Sequence, residues 1–381
     1  MSNYVIAVDT LGGDPYVIGL DGKPVQQPVV ERAVKGSLGG LSDRQNFDLV
    51  LIGNGDEIQK ELDKYDVKIP VHIEPSGTFF DSYNPRSSLQ ILLDGIGKDF
   101  DGGLTIGDTT KIIQHIGGKL HDLAMPNVEQ LPLAAFISVR EGMGSVLYLD
   151  MGANMVCRPN HLYQFAHMAR IIVNEREGVI DPKIGILTVG SEVYKGNKLV
   201  RRTMELCKAA GLDVINISRA EPRDAEVGNV DAVVTDGHTG NLLLKGVEAK
   251  AETILGHTKT FLAQNIEGIL RDYQTAVETG HIKPTPELDE VMKQVKNIPS
   301  NVLGRLIKRF AFESYGAATL CGLQSRTNYR AAILKKGHGI SDDYAFERAV
   351  IGCRGEIMSA LTEKMQKFFT NEYKLPKKKR A

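Results

Sequence analysis

The chain has 381 residues, of which 42% are hydrophobic and 24% are charged, as is typical of a folded globular protein. Its 46 Lys and Arg residues balance 47 Asp and Glu residues, so no overall positive field favours nucleic acid as a partner. No apolar run approaches the roughly 20 residues of a membrane span, and the N-terminus lacks a secretory signal pattern, so we expect a cytoplasmic protein.

The chain begins with an apolar run that ends in a polar, glycine-containing turn, and seven similar runs follow with helical patterns between most of them. The predicted strands cover residues 4–8, 47–53, 71–74, 103–106, 145–150, 184–189, 214–217 and 231–235. This alternation predicts an α/β fold with a doubly wound, mostly parallel sheet.

From about residue 247 the pattern changes to long helical periodicity. We therefore predict an α/β core made of residues 1–246 and 311–381, with a helical insertion or arm over 247–310. The arm is either scaffolding or a surface for a second copy or a partner. A homo-oligomer is expected because closed homodimers are the commonest assembly.

Glycine and polar residues follow many of the predicted strands, where backbone N–H groups can approach an anion closely. In open α/β sheets ligands bind outside the carboxyl ends of the strands, so these loops are expected to converge on one phosphate site. The candidate residues are Gly12, Gly13, Gly107, Asp108, Thr109, Gly152, Ala153, Asn154, Gly237, Gly240 and Asn241.

Lys195 and Asn197 complete the predicted phosphate site, because they follow a strand and supply a cation and an amide. Asp9, Asp150 and Asp236 also follow strands, but like charges repel, so these carboxylates are expected to hold the loops by accepting backbone N–H bonds.

Two competing site types lack their motifs. The nearest candidate for a dinucleotide fingerprint, Gly53-Asn54-Gly55, lacks the third glycine, and no Walker A loop is present. The histidines form no metal-binding pair, and the four cysteines are too widely spaced for a zinc site or a disulfide framework. We therefore expect no cofactor and no metal, and free thiols at Cys157, Cys207, Cys321 and Cys353.

Several segments together resemble the phosphate acyltransferase family, which makes acyl phosphates from acyl carrier protein thioesters. The matching segments are 6–14, 150–168, 190–197, 236–241, 315–317 and 337–339. Their order and approximate spacing hold over nearly the whole chain. The resemblance implies a fold like that of phosphate acyltransferases and isopropylmalate dehydrogenase, and inorganic phosphate as a substrate.

The chain departs from that family at two places. Residues 106–110 carry Asp108 where the family has an amide, and residues 324–330 extend a shorter glycine-containing link. The sequence is also similar to the alpha subunits of protein C of glycine reductase. That resemblance implies an acetyl phosphate-forming enzyme that works with selenoprotein A as acyl donor and with the ketosynthase-like beta subunit of protein C.

Cys353 is the acyl carrier that this second resemblance implies. Its own surroundings are open to two interpretations, because it lies on an apolar helical stripe but is flanked by Gly352, Arg354 and Gly355. His338, between two glycines, is predicted to donate a hydrogen bond to phosphate or to shuttle a proton.

The sequence leaves three alternatives open. Phosphate can attack an incoming thioester directly, with Cys353 structural. The chain can be an ordinary phosphate acyltransferase that uses long acyl carrier protein thioesters for phospholipid synthesis. It can also be a noncatalytic subunit that docks partners.

Overall fold

The computed structural model describes most of the chain and divides it into two compact units. The described residues are 3–13, 16–18, 24–42, 46–80, 84–107, 111–112, 120–138, 145–190, 192, 194–209, 217–281, 283–286, 288, 290–296, 317–324, 333–337, 343–358 and 361–376. The larger unit comprises Met1–Val17, Gln26–Leu242 and Glu313–Ala381, and the smaller one comprises Ile18–Val25 and Leu243–Phe312.

A large sheet organises the larger unit. The strands found in the described residues are β1 (Tyr4–Asp9), β2 (Tyr16–Ile18), β3 (Pro24–Gln26), β4 (Phe47–Gly53), β5 (Val71–Pro75), β6 (Gly102–Thr105), β7 (Leu133–Ser138), β8 (Ser145–Leu149), β9 (Ile184–Leu187), β10 (Ile217–Ala220), β11 (Ala232–Val234), β12 (Ala317–Leu320) and β13 (Ile333–Gly337). Eleven of these described strands form one sheet in the order β10-β9-β11-β8-β7-β12-β13-β6-β1-β4-β5, and β2 pairs with β3.

Helices connect most of the strands. Those in the described residues are α1 (Val29–Leu41), α2 (Gly55–Leu62), α3 (Ser88–Gly95), α4 (Pro159–Glu177), α5 (Lys198–Ala209), α6 (Pro222–Glu226), α7 (Gly237–Glu278), α8 (Asp343–Met358) and α9 (Leu361–Lys367). Local sequence sets their ends: α4 begins with Pro159 at its first position and ends at Gly178, whose φ of 70° suits a left-handed cap. In the part of the chain that the structure describes, no helix is long and apolar enough to cross a membrane.

Helices cover both faces of the sheet, as is clear at two neighbouring glycines of β6. Successive residues of a strand point to opposite faces. The missing side chain of Gly102 leaves room for Cys353 and Ile357 of α8, and that of Gly103 leaves room for Leu92 of α3. The predicted doubly wound, mostly parallel α/β sheet is therefore confirmed.

The strands do not all run the same way. β7 pairs antiparallel with β8 and with β12, and β12 pairs antiparallel with β13. The other pairings are parallel, so β1, β4, β5, β6 and β13 run opposite to β8, β9, β10 and β11. We call the two ends of the sheet the β1 end and the β8 end, after the strand whose carboxyl terminus lies there.

Candidate functional site

The turn after β8 is built around a buried carboxylate. Asp150 is fully buried, and its side chain accepts hydrogen bonds from the backbone N–H groups of Gly152 (3.1 Å), Ala153 (2.8 Å) and Asn154 (2.7 Å). The backbone N–H of Leu133 in β7 donates to the same carboxylate at 3.0 Å. These donors are the ones that the sequence reasoning reserved for phosphate, and here Asp150 occupies them.

Asn154 links this turn to the start of α7. Its amide nitrogen donates to Asp150 (2.7 Å) and to the carbonyl of Leu131 (3.0 Å), and its own carbonyl accepts from the N–H of Gly237 (2.8 Å). Both amide hydrogens of Asn154 are therefore used. Contrary to the prediction, the Asn154 side chain has no N–H left to donate to phosphate. It instead connects Asp150 with the carbonyl of Leu131.

Two glycines allow α7 to lie close to this turn. A side chain at Gly240 would collide with the carbonyl of Asp150, so only glycine fits there. At Gly152, with a φ of 129°, the nearest neighbour of an added Cβ would be Asn241, at 3.5 Å. Among the described residues nothing engages the amide of Asn241, which therefore remains available to a ligand at the β8 end.

The turn after β9 lies at the same end of the sheet, because β9 and β8 flank β11 in parallel. Asn197 begins α5 there by accepting the N–H of Val200 at 2.9 Å. Lys195 is partly exposed, and its Nζ lies 3.9 Å from the Glu192 carboxylate. Gly196, with a φ of 94°, makes the turn between them. The structure thus brings Lys195 and Asn197 to the β8 end, as predicted.

A second buried carboxylate holds the loop at the β1 end. Asp9 accepts from the N–H groups of Leu11 (3.0 Å) and Gly12 (3.3 Å), and from the hydroxyls of Ser88 (2.6 Å) and Thr105 (2.7 Å). The N–H of Gly107 donates to the Thr105 hydroxyl at 3.0 Å. In this loop too, the backbone N–H groups donate to side chains of the protein itself.

Burial raises the pKa of both Asp9 and Asp150, and the hydrogen bonds that each carboxyl accepts work in the opposite direction. Asp236 holds its loop as well, by accepting the N–H of Thr239 at 2.9 Å. The prediction that these three aspartates hold their loops by accepting backbone N–H bonds is confirmed.

The predicted residues do not meet at one end of the sheet. Gly12, Gly13 and Gly107 lie at the β1 end, and the candidates after β8, β9 and β11 lie at the β8 end. The two ends are about 15 Å apart, because a five-residue strand rises roughly 3.3 Å per residue. The convergence predicted from sequence is wrong, since it assumed that all strands are parallel and overlooked the reversals at β7 and β12.

Three predicted residues, Asp108, Thr109 and His338, lie outside the described residues. Gly337, which precedes His338, ends β13 at the β1 end and pairs with Ala317. The roles predicted for these three residues stay predictions.

Cys353 is part of the core. Its side chain is fully buried beside Ile6, Phe346 and Val350, against the bare backbone of Gly102. Burial raises the pKa of the Cys353 thiol to about 12, with Lys335 acting in the opposite direction. A thiolate is the nucleophile in thioester formation. The packing therefore argues against the predicted acylation of Cys353 and favours the structural interpretation.

The other three cysteines match their predicted packing roles. Cys207 and Cys321 are buried. Burial, reinforced by the charges of Asp150 and Asp236, raises the pKa of Cys157 to about 12. All three are free thiols.

Sequence reasoning missed a buried ion cluster in the middle of the sheet. Lys335 of β13 is fully buried, and its Nζ donates to Glu356 at 2.9 Å and to the Thr319 hydroxyl at 2.7 Å. Arg176 reaches the same carboxylate at 2.8 Å. Burial alone would raise the Glu356 pKa, but the two cations offset it and the pKa lies below its usual value. The sequence did contain a signal for this cluster, because Lys335 directly follows the apolar run of residues 331–334.

The fold and its loops define an α/β protein whose polar residues gather at the carboxyl ends of strands, where such sheets bind ligands. Residues 4–273 match the family model described as "Fatty acid synthesis protein", and the chain belongs to that family.

Several curated relatives are named phosphate acyltransferase, and two of them illustrate the extent of the similarity. The one from Clostridium novyi (strain NT) is 28% identical over 91% of this chain and 92% of its own length. The one from Dehalococcoides mccartyi is 29% identical over 84% of this chain and 83% of its own. Among solved structures, a branched-chain phosphotransacylase from Enterococcus faecalis V583 covers 93% of this chain and 99% of its own, at 12% identity and a TM-score of 0.48.

Proposed function

We propose that this protein transfers an acyl group from a thioester to inorganic phosphate, giving an acyl phosphate and a free thiol. The observation that carries the proposal is the likeness to phosphate acyltransferases, which spans 91% of this chain and 92% of the Clostridium novyi protein. A likeness of that extent includes both the sheet and the loops at its two ends.

The β8 end is the better place for phosphate. At the β1 end, the space beside the Cα atoms of Gly12 and Gly107 is filled by the Phe79 ring. The space beside Gly13 is filled by the Ile106 side chain. At the β8 end, Gly152 has ordinary van der Waals space in front of it. Lys195 and Asn241 stand there partly exposed, as a cation and an amide that suit an anion.

The aspartate-held turns serve as scaffold in this proposal. Asp150 and Asn154 fix the loop after β8, Gly237 and Gly240 let α7 approach it, and Asn197 starts α5. Among the described candidate residues, Lys195 and the Asn241 amide are the ones left to contact phosphate. Such a division gives rigid positioning by buried groups and binding by exposed ones.

The chemistry needs one bond exchange. An oxygen of the bound phosphate attacks the thioester carbonyl carbon, a C–O bond forms, and the C–S bond breaks. The electron pair leaves on the thiolate, which takes a proton from solvent. A donor held beside the tetrahedral oxyanion is typically worth about 10²–10³ in kcat. Direct attack requires no protein nucleophile, in keeping with the burial of Cys353.

We further propose that the acyl group is acetyl and that a carrier protein delivers it, as in glycine reductase, where selenoprotein A is the donor and the beta subunit of protein C the partner. The sequence departures at Asp108 and over residues 324–330 support this narrower function. The competing candidate is transfer of a long acyl chain from acyl carrier protein, which the resemblance to the phosphate acyltransferase family implies.

A series of thioester donors of increasing chain length distinguishes acetyl transfer from long-chain transfer. The purified chain is incubated with inorganic phosphate and with thioesters from acetyl to palmitoyl, and acyl phosphate is trapped as its hydroxamate. Acetyl phosphate as the main product supports the narrower function. Palmitoyl phosphate as the main product would replace it with long-chain transfer, and no acyl phosphate from any donor would overturn the acyltransferase proposal itself.

A further inference from the structure

A carboxylate lies beside the cation of the proposed phosphate site. Glu192 and Lys195 are three residues apart in the turn after β9, and the backbone N–H of Lys195 donates to the Glu192 carbonyl at 2.9 Å. The Glu192 carboxylate lies 3.9 Å from the Nζ of Lys195. A fixed negative charge so close to Lys195 lowers the affinity for anions in general. It can nevertheless favour one anion over another, because specificity is a difference between two affinities.

Gly190 allows both side chains to lie on the same side of this turn. A Cβ added at Gly190 would be 2.7 Å from Oε2 of Glu192, and 3.1 Å from Cγ and Cδ of Lys195. Both side chains therefore lie against the bare Cα of one residue and do not extend into solvent in opposite directions. The carboxylate and the ammonium are held side by side.

The ion pair leaves the Lys195 ammonium able to bind an anion. The 3.9 Å between the Glu192 carboxylate and Nζ is longer than a charge-assisted hydrogen bond, which measures roughly 2.7–2.9 Å. An ammonium has three N–H donors, and the Lys195 side chain is 40% exposed, so an anion can reach it. A phosphate that accepts a hydrogen bond from Lys195 consequently lies within reach of the Glu192 carboxylate.

A proton distinguishes phosphate from sulfate at such a place. At neutral pH inorganic phosphate keeps at least one proton, whereas sulfate, which has the same tetrahedral shape, keeps none. An ionised carboxylate can accept hydrogen bonds but cannot donate them. It therefore accepts an O–H···O bond from protonated phosphate, but it faces sulfate only as one negative charge faces another.

We propose that Glu192 selects phosphate against sulfate, by accepting a hydrogen bond from the P–OH group of the phosphate that Lys195 binds. The inference rests on the proposed function, because it takes the β8 end as the phosphate site. A site built around a hydrogen bond rejects analogues that lack the matching group. The Glu192 side chain is 49% exposed, so water and salt weaken its repulsion of sulfate. We therefore expect a discrimination of about 10–100-fold, below that of fully buried sites.

The test uses Glu192→Gln, which keeps the shape of the side chain, removes its charge and adds N–H donors. KM for phosphate and the inhibition constant of sulfate are measured in acyl phosphate formation, at an ionic strength held constant with chloride. We expect the ratio of the sulfate inhibition constant to the phosphate KM to fall about 10-fold or more in the variant.

A second anion and a second variant serve as controls. Arsenate is tetrahedral and keeps a proton at neutral pH, so its competition with phosphate should change by less than about threefold in Glu192→Gln. Glu205→Gln removes an exposed carboxylate in the second half of α5 and should leave the constants for all three anions at their wild-type values.

An unchanged ratio in Glu192→Gln overturns the proposed role of Glu192, as does a wild type that binds sulfate as tightly as phosphate. An equal gain in affinity for arsenate and sulfate also overturns it, because Glu192 would then repel all anions alike.

Isothermal titration of the chain with each anion, in the absence of an acyl donor, distinguishes this proposal from the acyltransferase proposal. Selective phosphate binding that Glu192→Gln loses, with no acyl phosphate from the wild type, would overturn the acyltransferase proposal and support the role of Glu192. Acyl phosphate formation with equal binding of both anions would do the reverse. A wild type that binds neither anion and forms no acyl phosphate would overturn both.

Discussion

Asp9 and Asp150 perform the same task at opposite ends of one sheet. Each lies at the carboxyl end of a buried strand, each is fully buried, and each carboxylate accepts backbone N–H bonds from the next turn. β1 and β8 run in opposite directions, so the two turns face away from each other. This relationship assigns only one of the turns to the proposed phosphate site.

Replacing these aspartates separates stability from activity. Asp150→Asn leaves several buried N–H groups with a poorer acceptor, and we expect a loss of about 2–3 kcal/mol in the free energy of unfolding, from the usual cost of unsatisfied buried donors. Because the loop after β8 then loses its geometry, kcat/KM for phosphate should fall about 100-fold. Urea unfolding and steady-state kinetics measure the two effects.

Asp9→Asn is the matched control. It should cost a similar amount of stability at the β1 end and leave KM for phosphate within about twofold when assayed below its unfolding temperature. A large rise in KM for phosphate in Asp9→Asn would place phosphate at the β1 end instead.

Lys195 and Asn241 are the residues expected to contact phosphate. Lys195→Met removes the cation but keeps most of the side-chain length, and we expect KM for phosphate to rise and kcat to fall, by about 100-fold in kcat/KM. Asn241→Ala should act in the same direction. The free energy of unfolding of both variants should stay within about 0.5 kcal/mol of wild type, since both side chains are partly exposed. Wild-type kinetics in both variants would refute these assignments.

His167 makes stability depend on pH. It is buried between Tyr163, Phe368 and Tyr373, and burial lowers its pKa from the ordinary 6.5 to about 3, reinforced by Arg170. Below pH 6.5, His167 is therefore protonated in the unfolded chain but stays neutral in the folded chain until the pH approaches 3. This contribution to stability is present above pH 6.5 and is lost as the pH falls toward 3.

We expect this group alone to cost about 2 kcal/mol between pH 7 and pH 5. His167→Phe should flatten that part of the stability profile, measured by urea unfolding at each pH, whereas His257→Gln, at an exposed position of α7, should not. An unchanged slope in His167→Phe would show that other groups govern acid stability.

The Lys335–Glu356 pair should be sensitive to the loss of one partner. Glu356→Gln removes the buried carboxylate that Lys335 and Arg176 share, and we expect a loss of about 3–5 kcal/mol in the free energy of unfolding. Glu363→Gln, on the exposed side of α9, should change it by less than about 0.5 kcal/mol. Chemical denaturation compares the two variants. A small effect of Glu356→Gln would mean that solvent reaches the cluster.

Periodicity and turn chemistry were sufficient to predict the outer parts of the sheet. The predicted strands at 47–53 and 71–74 coincide with β4 and β5 within a residue, because buried parallel strands are continuous apolar runs. The predicted strand 214–217 meets β10 only at Ile217, because residues 210–216 lie outside the described part of the chain and because β10 continues to Ala220, beyond the predicted end.

The central antiparallel strands were not predictable in the same way. β7, β12 and β13 were missed, and with them the reversal of direction. Strand direction depends on which neighbours pair, and this is a tertiary property that no local pattern encodes. Because these strands were missed, the loops at the β1 end and the β8 end were predicted to form a single site. The loop-holding role of the aspartates was predictable, since it follows from charge alone.

The role of Cys353 could not be predicted from its sequence motif alone, because it depends on which residues pack around the thiol. The sequence could not decide between a core thiol and a reactive one, and the fit of the Cys353 side chain against Gly102 favours the core thiol. Cys353→Ala should therefore cost about 1–2 kcal/mol through the cavity that it leaves, and keep most of the activity. Mass spectrometry of the chain after incubation with an acyl donor should find no acyl group on Cys353. A phosphate-labile acyl group at that residue would restore the covalent route.

The central claim is tested most directly by the product of the purified chain with a thioester and inorganic phosphate, trapped as a hydroxamate alongside release of the free thiol. We predict equal amounts of acyl phosphate and thiol in the wild type, and about 100-fold less of both in Lys195→Met at limiting phosphate. Thiol release without acyl phosphate, or no release with any thioester from acetyl to palmitoyl, would contradict the claim.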